Sequence, residues 1–245
     1  MKLTESKYNS EKNIVNKFRC AQDEGMPVEY FGMCAIACAT AVLPILWVTE
    51  PDYYSVCSKA VDIATRYRTC IDGVTRMACK ANSERALKAA KEYTDKSTAT
   101  NSFNIKIHTA IYSSYYAVWA AYGPDEDCCF YSAVGVMAAM QTTEETELNA
   151  DILRIIDDYV SWDHITLLRV AHILGEFNTD KIAKVMQGLL NIPKQTRDAL
   201  VRYAEVIFEC DGLSEEAAFL IKDFINNKIP KQPYKLYGIL DDTSR

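Results

Sequence analysis

From Tyr30 to Thr49 the chain runs for 20 residues without a charge, bounded by Glu29 and Glu50. A helix of that length with no charged face has to be enclosed, either by lipid or by other helices. Its composition favours protein. Ala35, Ala37, Ala39 and Ala41 interleave with Cys34, Cys38 and Thr40, which makes the segment small-sided rather than greasy. Pro44 would break a spanning helix near its end. No Lys or Arg cluster flanks the run closely enough to orient it in a bilayer. Two more segments, 107–124 and 128–143, are also free of Asp, Glu, Lys and Arg and rich in small and aromatic residues. The expectation is a set of central helices packed on one another, with no membrane span.

The fold class follows from periodicity. Apolar residues recur at helical spacing almost throughout, and 9 Gly and 7 Pro in 245 residues are too few for the turns of an all-β chain. The sequence therefore predicts an all-α protein: a multi-helix bundle with a second compact helical subdomain. Residues 1–29 read as a loosely attached lead-in, 30–142 as the bundle, 143–228 as amphipathic helices and 229–245 as an extended tail. Within the bundle, helices are expected at about 31–47, 51–71, 75–94, 105–122 and 126–141, with a loop over 96–104. Pro51 opens the second, Asp72-Gly73 ends it, and Gly123-Pro124 ends the fourth. Thr142-Thr143-Glu144-Glu145 fits a capping box for the next helix, whose apolar face is Leu148, Ile152, Ile155, Ile156 and Tyr159. Further helices are expected near 163–174, 182–190, 193–210 and 214–225.

The first 29 residues are polar and carry Lys2, Lys7, Lys12 and Lys17, so they do not read as a secretory leader, and a cytoplasmic location is expected. The nine cysteines, at 20, 34, 38, 57, 70, 79, 128, 129 and 210, form no CxxC pair. Reduced, buried thiols are expected, with no disulfide and no structural metal. His164 and His172, with Glu176 one turn beyond the latter, lack further ligands in register. There is no GxGxxG, P-loop, HExxH or GxSxG, no cysteine sits beside a histidine, and no catalytic residue or cofactor is assigned.

Charge is segregated along the chain. Residues 125–163 hold ten acids against Arg154 alone, a net −9, whereas 57–98 holds nine bases against five acids, a net +4. Glu147, Asp151 and Asp158 share one helix face, flanking the Leu148–Ile152–Tyr159 stripe. The ordinary reading is a solvated face; the functional one is an acidic docking surface for a basic partner. The basic helix (Arg76, Lys80, Lys88, Lys91) is interrupted by Glu84 and Glu92 and has no base-reading motif, so nucleic acid is not the expected partner. Tyr112, Tyr115, Tyr116, Trp119 and Tyr122 crowd one helix. They read first as core and otherwise as the floor of a pocket for a small, nucleotide-like ligand.

Cys-Ala-Ile-Ala-Cys-Ala-Thr (34–40), Leu43-Pro44, Ala-Val-Asp-Ile-Ala-Thr-Arg-Tyr (60–67) and the alanine- and aromatic-rich helix pair at 110–139 resemble a family of alanine-rich helical immunity proteins of bacteria and their phages. The resemblance covers about residues 30–140; the long uninterrupted alanine repeats of that family are missing here. It implies an inhibitor or immunity-type factor, encoded by a phage or mobile element, that neutralises another protein. It carries no catalytic residues over. Binding a small ligand through the Tyr/Trp helix is the alternative expectation.

Overall fold

A computed structural model describes residues 3, 5–69, 74–144 and 147–173; the side chains of 125, 126, 167 and 169–173 fall outside that description. The described residues form nine helices and no strand: α1 Glu5–Ser10, α2 Ile14–Asp23, α3 Val28–Thr49, α4 Pro51–Arg68, α5 Arg76–Ala99, α6 Ile105–Tyr122, α7 Asp125–Thr143, α8 Leu148–Tyr159 and α9 Trp162–Ile173. The all-α bundle is therefore as expected. The helices expected at 182–190, 193–210 and 214–225 and the 229–245 tail lie outside the described residues.

Two compact units divide the chain: Met1–Gln22 with Val28–Val160, and Asp23–Pro27 with Ser161–Arg245. In the first, α3 packs against α4, α6, α7 and α8, while α6 packs against α3, α4, α5 and α7. The arrangement is two layers, α4–α3–α8 and α5–α6–α7. Of the described helices, α3 alone is long and apolar enough to cross a membrane. Here it is the centre of the bundle: Phe31, Cys34, Ala35, Cys38, Ala39, Val42 and Leu46 are fully buried. Of the second unit's helices only α9 is described. Ser161 precedes it, and its Oγ accepts from the His164 amide (3.4 Å) and lies 2.7 Å from His164 Nδ1. This is a side-chain cap, and it gives His164 a structural task.

Several boundaries differ from the sequence expectation, each for a local reason. α3 continues to Thr49, two residues past the expected end at 47, with Pro44 inside it on an exposed edge. α5 runs through the expected loop to Ala99, because Tyr93 and Ser97 are buried and so anchor its last turns. The proposed capping box is not one. Thr142 and Thr143 close α7, donating their hydroxyls to the Ala138 and Ala139 carbonyls (2.8 and 3.1 Å), and α8 starts after Glu147 without a side-chain cap. α8 packs on α3 and belongs to the first unit, so the division falls after Val160 and not at 142/143. Residues 5–22 are more than a lead-in: Tyr8 and Phe18 are fully buried. Phe18 lies 5.2 Å from Phe31, and the Tyr8 hydroxyl donates to the Val160 carbonyl at 2.8 Å.

Candidate functional site

The acidic face and the aromatic helix both reach the surface, by opposite routes. α8 is an ordinary amphipathic helix. Ile152 and Ile156 are buried, α8 packs on α3, and Glu147 and Asp158 are exposed with Asp151 half-exposed beside them. The three acids share a face, as their spacing implies. Asp151 Oδ1 pairs with Arg154 Nη2 at 3.0 Å, one turn on. The neighbouring Asp157 Oδ1 meets Lys17 Nζ at 3.9 Å, and that ammonium also lies 5.0 Å from the Tyr8 ring centroid. Glu147 and Asp158 make no ion pair among the described residues. Two carboxylates of the face are thus open to an external cation.

α6 is sorted the other way round. Ile107, Ala110, Ile111, Ser113, Ser114, Ala117, Val118, Ala120 and Ala121 face inward, while Tyr112, Tyr115, Tyr116, Trp119 and Tyr122 are half-buried on the outside. At ~100° per residue the five rings occupy an arc of about 120°. This corrects the first expectation for them: they are not core. The cause is crowding. With four neighbouring helices, α6 has room beneath it for alanine, serine and the aliphatic Ile107, Ile111 and Val118, but not for an aromatic ring. At the α6–α7 crossing Ser113 Oγ donates to the Gly135 carbonyl (2.9 Å), and a Cβ built on Gly135 would stand 3.3 Å from Tyr116 Cβ and 3.4 Å from the Ala117 nitrogen. At the far end of α6, Arg68 Nη2 donates to the Ala120 carbonyl (2.8 Å), and Arg76 Nε donates to the Tyr122 carbonyl (2.8 Å).

Outside, the rings form a continuous ridge. Trp119 stacks on Tyr131 of α7 (centroids 4.6 Å, planes 10° apart) and on Tyr122 (5.1 Å, 8°), and Tyr131 stacks on Tyr116 (6.1 Å, 18°). Tyr112, His108 and Phe103 extend the line at 5.9, 4.6 and 5.2 Å steps, and Tyr115 joins Tyr116 at 4.8 Å. The Trp119 ring overhangs Gly123, where any Cβ would fall 2.2 Å from it. Burial, then the neighbouring phenols, pushes the Tyr115 and Tyr116 hydroxyls up, so both stay protonated donors. Burial lowers His108, which favours a neutral ring. Sequence spacing could supply the α6 rings. Tyr131, which links Tyr116 to Trp119, and the exposed Phe130 against it come from α7, and only packing brings them in.

A groove of about 490 Å³ lies beside α7, with Ile14, Met137 and Met140 as its apolar lining and Lys12, Gln141, Glu144 and Asn149 among its polar residues. The seven described cysteines are free thiols; Cys70 and Cys210 lie outside the described residues. Burial pushes Cys57 up to about 12 against an opposing hydrogen bond from Ser114, and pushes Cys79 up to about 11 against Arg68. Burial and the neighbouring Cys38 push Cys34 up as well. Such thiols are protonated and poorly nucleophilic at neutral pH. No cluster of three or more His, Cys, Asp or Glu suited to a metal occurs among the described residues; the His172 side chain and Glu176 are outside them.

Compared with family models, with curated proteins and with solved structures, the chain has no match.

Proposed function

We propose that this chain is a protein-binding factor of the inhibitor or immunity type, phage or mobile-element encoded, acting in the cytoplasm on a partner with a basic surface. The observation that carries the reading is the α8 face. Asp151 and Asp158 sit on, and Glu147 immediately precedes, a short helix whose Ile152 and Ile156 are buried, so the carboxylates are presented from a fixed backbone. Exposed charges of this kind act on encounter more than on the final complex, through steering that salt screens. The resemblance of residues 30–140 to alanine-rich immunity proteins points the same way. The test is to identify the partner by affinity purification and mass spectrometry from the native host, then to measure association rates across a salt series. Replacing Glu147, Asp151 and Asp158 by Lys is expected to slow association about tenfold at low salt and little at high salt. Unchanged rates at every salt concentration would remove the acidic face from the mechanism.

The alternative is a small, nucleotide-like ligand on Tyr112, Tyr115, Tyr116 and Trp119, favoured by the half-exposure of those rings. Ring-on-ring stacking at Trp119, Tyr131 and Tyr122 weighs against it, since a base would have to displace one ring from another. A small molecule that co-purifies with the native protein and is lost from Trp119→Ala would favour this alternative.

A further inference from the structure

We infer that the aromatic ridge is the contact face of a homodimer, with a second copy of this chain laid ridge to ridge about a two-fold axis running along α6. The inference does not rest on the partner reading above. α5 and α7 pack on either side of α6, whose half-buried rings, with the exposed Lys80 of α5 and Phe130 of α7, reach the surface between them. α6 carries one formal charge, Lys106, and α7 none after Asp127. Beside α6 on one side, α5 holds Arg76, Lys80, Arg85, Lys88, Lys91 and Lys96 against Glu84, Glu92 and Asp95, a net +3. On the other side the first turn of α7 presents the exposed Asp127 carboxylate. An apolar centre with opposite charge on its two flanks is its own complement under a two-fold axis parallel to the helices, because that operation lays each flank over the opposite one.

The levels along the helices agree as well. Arg76 donates to the Tyr122 carbonyl, so the first turn of α5 lies beside the last turn of α6, and α7 begins three residues further on. Lys80 stands about 6 Å and Asp127 about 3 Å from that end, on opposite sides of α6. A two-fold axis along α6 preserves height, so Lys80 of one copy meets Asp127 of the other. Both are exposed, and neither makes an ion pair among the described residues of its own chain. The dimension is adequate. The 18 residues of α6 span about 27 Å, and three helices set about 9 Å apart give a face of roughly 700 Å², near the ~800 Å² per partner of a stable interface. Tyr, Trp, Phe and Met are the residues that such interface centres favour.

The test is sedimentation velocity of the full chain at micromolar concentration. The parent is expected to sediment at twice its 27.6 kDa. Phe130 is 50% exposed, so Phe130→Arg is expected to fold, checked by its helical circular dichroism, and to sediment as a monomer. Lys80→Glu and Asp127→Lys are each expected to weaken the dimer at least tenfold, and the double variant to restore it. A monomeric parent across the concentration range overturns the proposal. So does a dimer that Phe130→Arg leaves intact, or a double variant no tighter than either single one.

Discussion

α6 and α8 are both two-sided helices of the same unit, yet they sort their residues by different criteria. α8 sorts by polarity: isoleucines in, carboxylates out. α6 sorts its apolar residues by bulk: alanines, serines and the aliphatic Ile107, Ile111 and Val118 in, tyrosines and tryptophan out. The difference follows from the number of neighbours. α8 packs at the edge of the bundle, where a long apolar side chain can reach inward to α3. α6 is hemmed in by α3, α4, α5 and α7, and close approach leaves no room for a ring beneath it. Apolar character therefore identifies the buried face of a peripheral helix, but on a crowded one it does not tell which aromatic rings are buried.

The largest effect expected from this packing is alkaline unfolding. Cys57, on α4 against Ser114 of α6, is one of the small side chains admitted to the crowded interior. Its folded value of about 12 lies three units above the ordinary 9.0, so from pH 9 upward the unfolded chain releases a proton that the folded chain keeps. The stability is present below pH 9 and is lost as the pH rises toward 12, by roughly 4 kcal/mol for this group alone. Cys79 and Cys34 act in the same direction. Urea midpoints measured from pH 8 to 11 are expected to fall steeply, with a shallower slope in Cys57→Ala. A flat profile would mean that these thiols are not enclosed.

Next in size is Ile152→Ala on α8. Truncating a fully buried isoleucine is expected to cost about 3 kcal/mol in chemical denaturation, as for any polarity-sorted helix. On α6 the sharper test is enlargement. Ala117→Leu adds apolar surface at a fully buried site facing the Gly135 crossing, and is expected to destabilise by about 2 kcal/mol through overpacking. Tyr115→Ala removes a whole ring from the outer face and is expected to cost only about 1 kcal/mol. If removing the ring proves more damaging than adding the leucine, size is not what sorts α6. Smallest of all, the Glu147, Asp151 and Asp158 to Lys triple variant is expected to move stability by no more than about 0.5 kcal/mol, while altering association with a basic partner. A larger loss of stability would make the acidic face a folding element.

Local chemistry alone determined much of this protein. Charge-free runs and helical periodicity specified an all-α bundle with the 30–49 run enclosed in it, and Gly123-Pro124 marked where α6 stops. The Glu147–Asp151–Asp158 face was equally legible, because residues on one helix keep a fixed angular relation whatever surrounds them. Tertiary structure decided the rest. Thr142 and Thr143 can cap a following helix or close a preceding one, and their bonds to Ala138 and Ala139 are set by α7 continuing through them. Tyr8 and Phe18 look like part of a loosely attached lead-in until Val160 and Phe31, 152 and 13 residues away, receive them. The aromatic ridge is the clearest case. Its rings are plain in the sequence, but whether they face in or out depends on how many helices press on α6, and Tyr131 joins them from another helix. Inward or outward is a competition for space among neighbours, and a linear sequence does not say how many neighbours a helix will have.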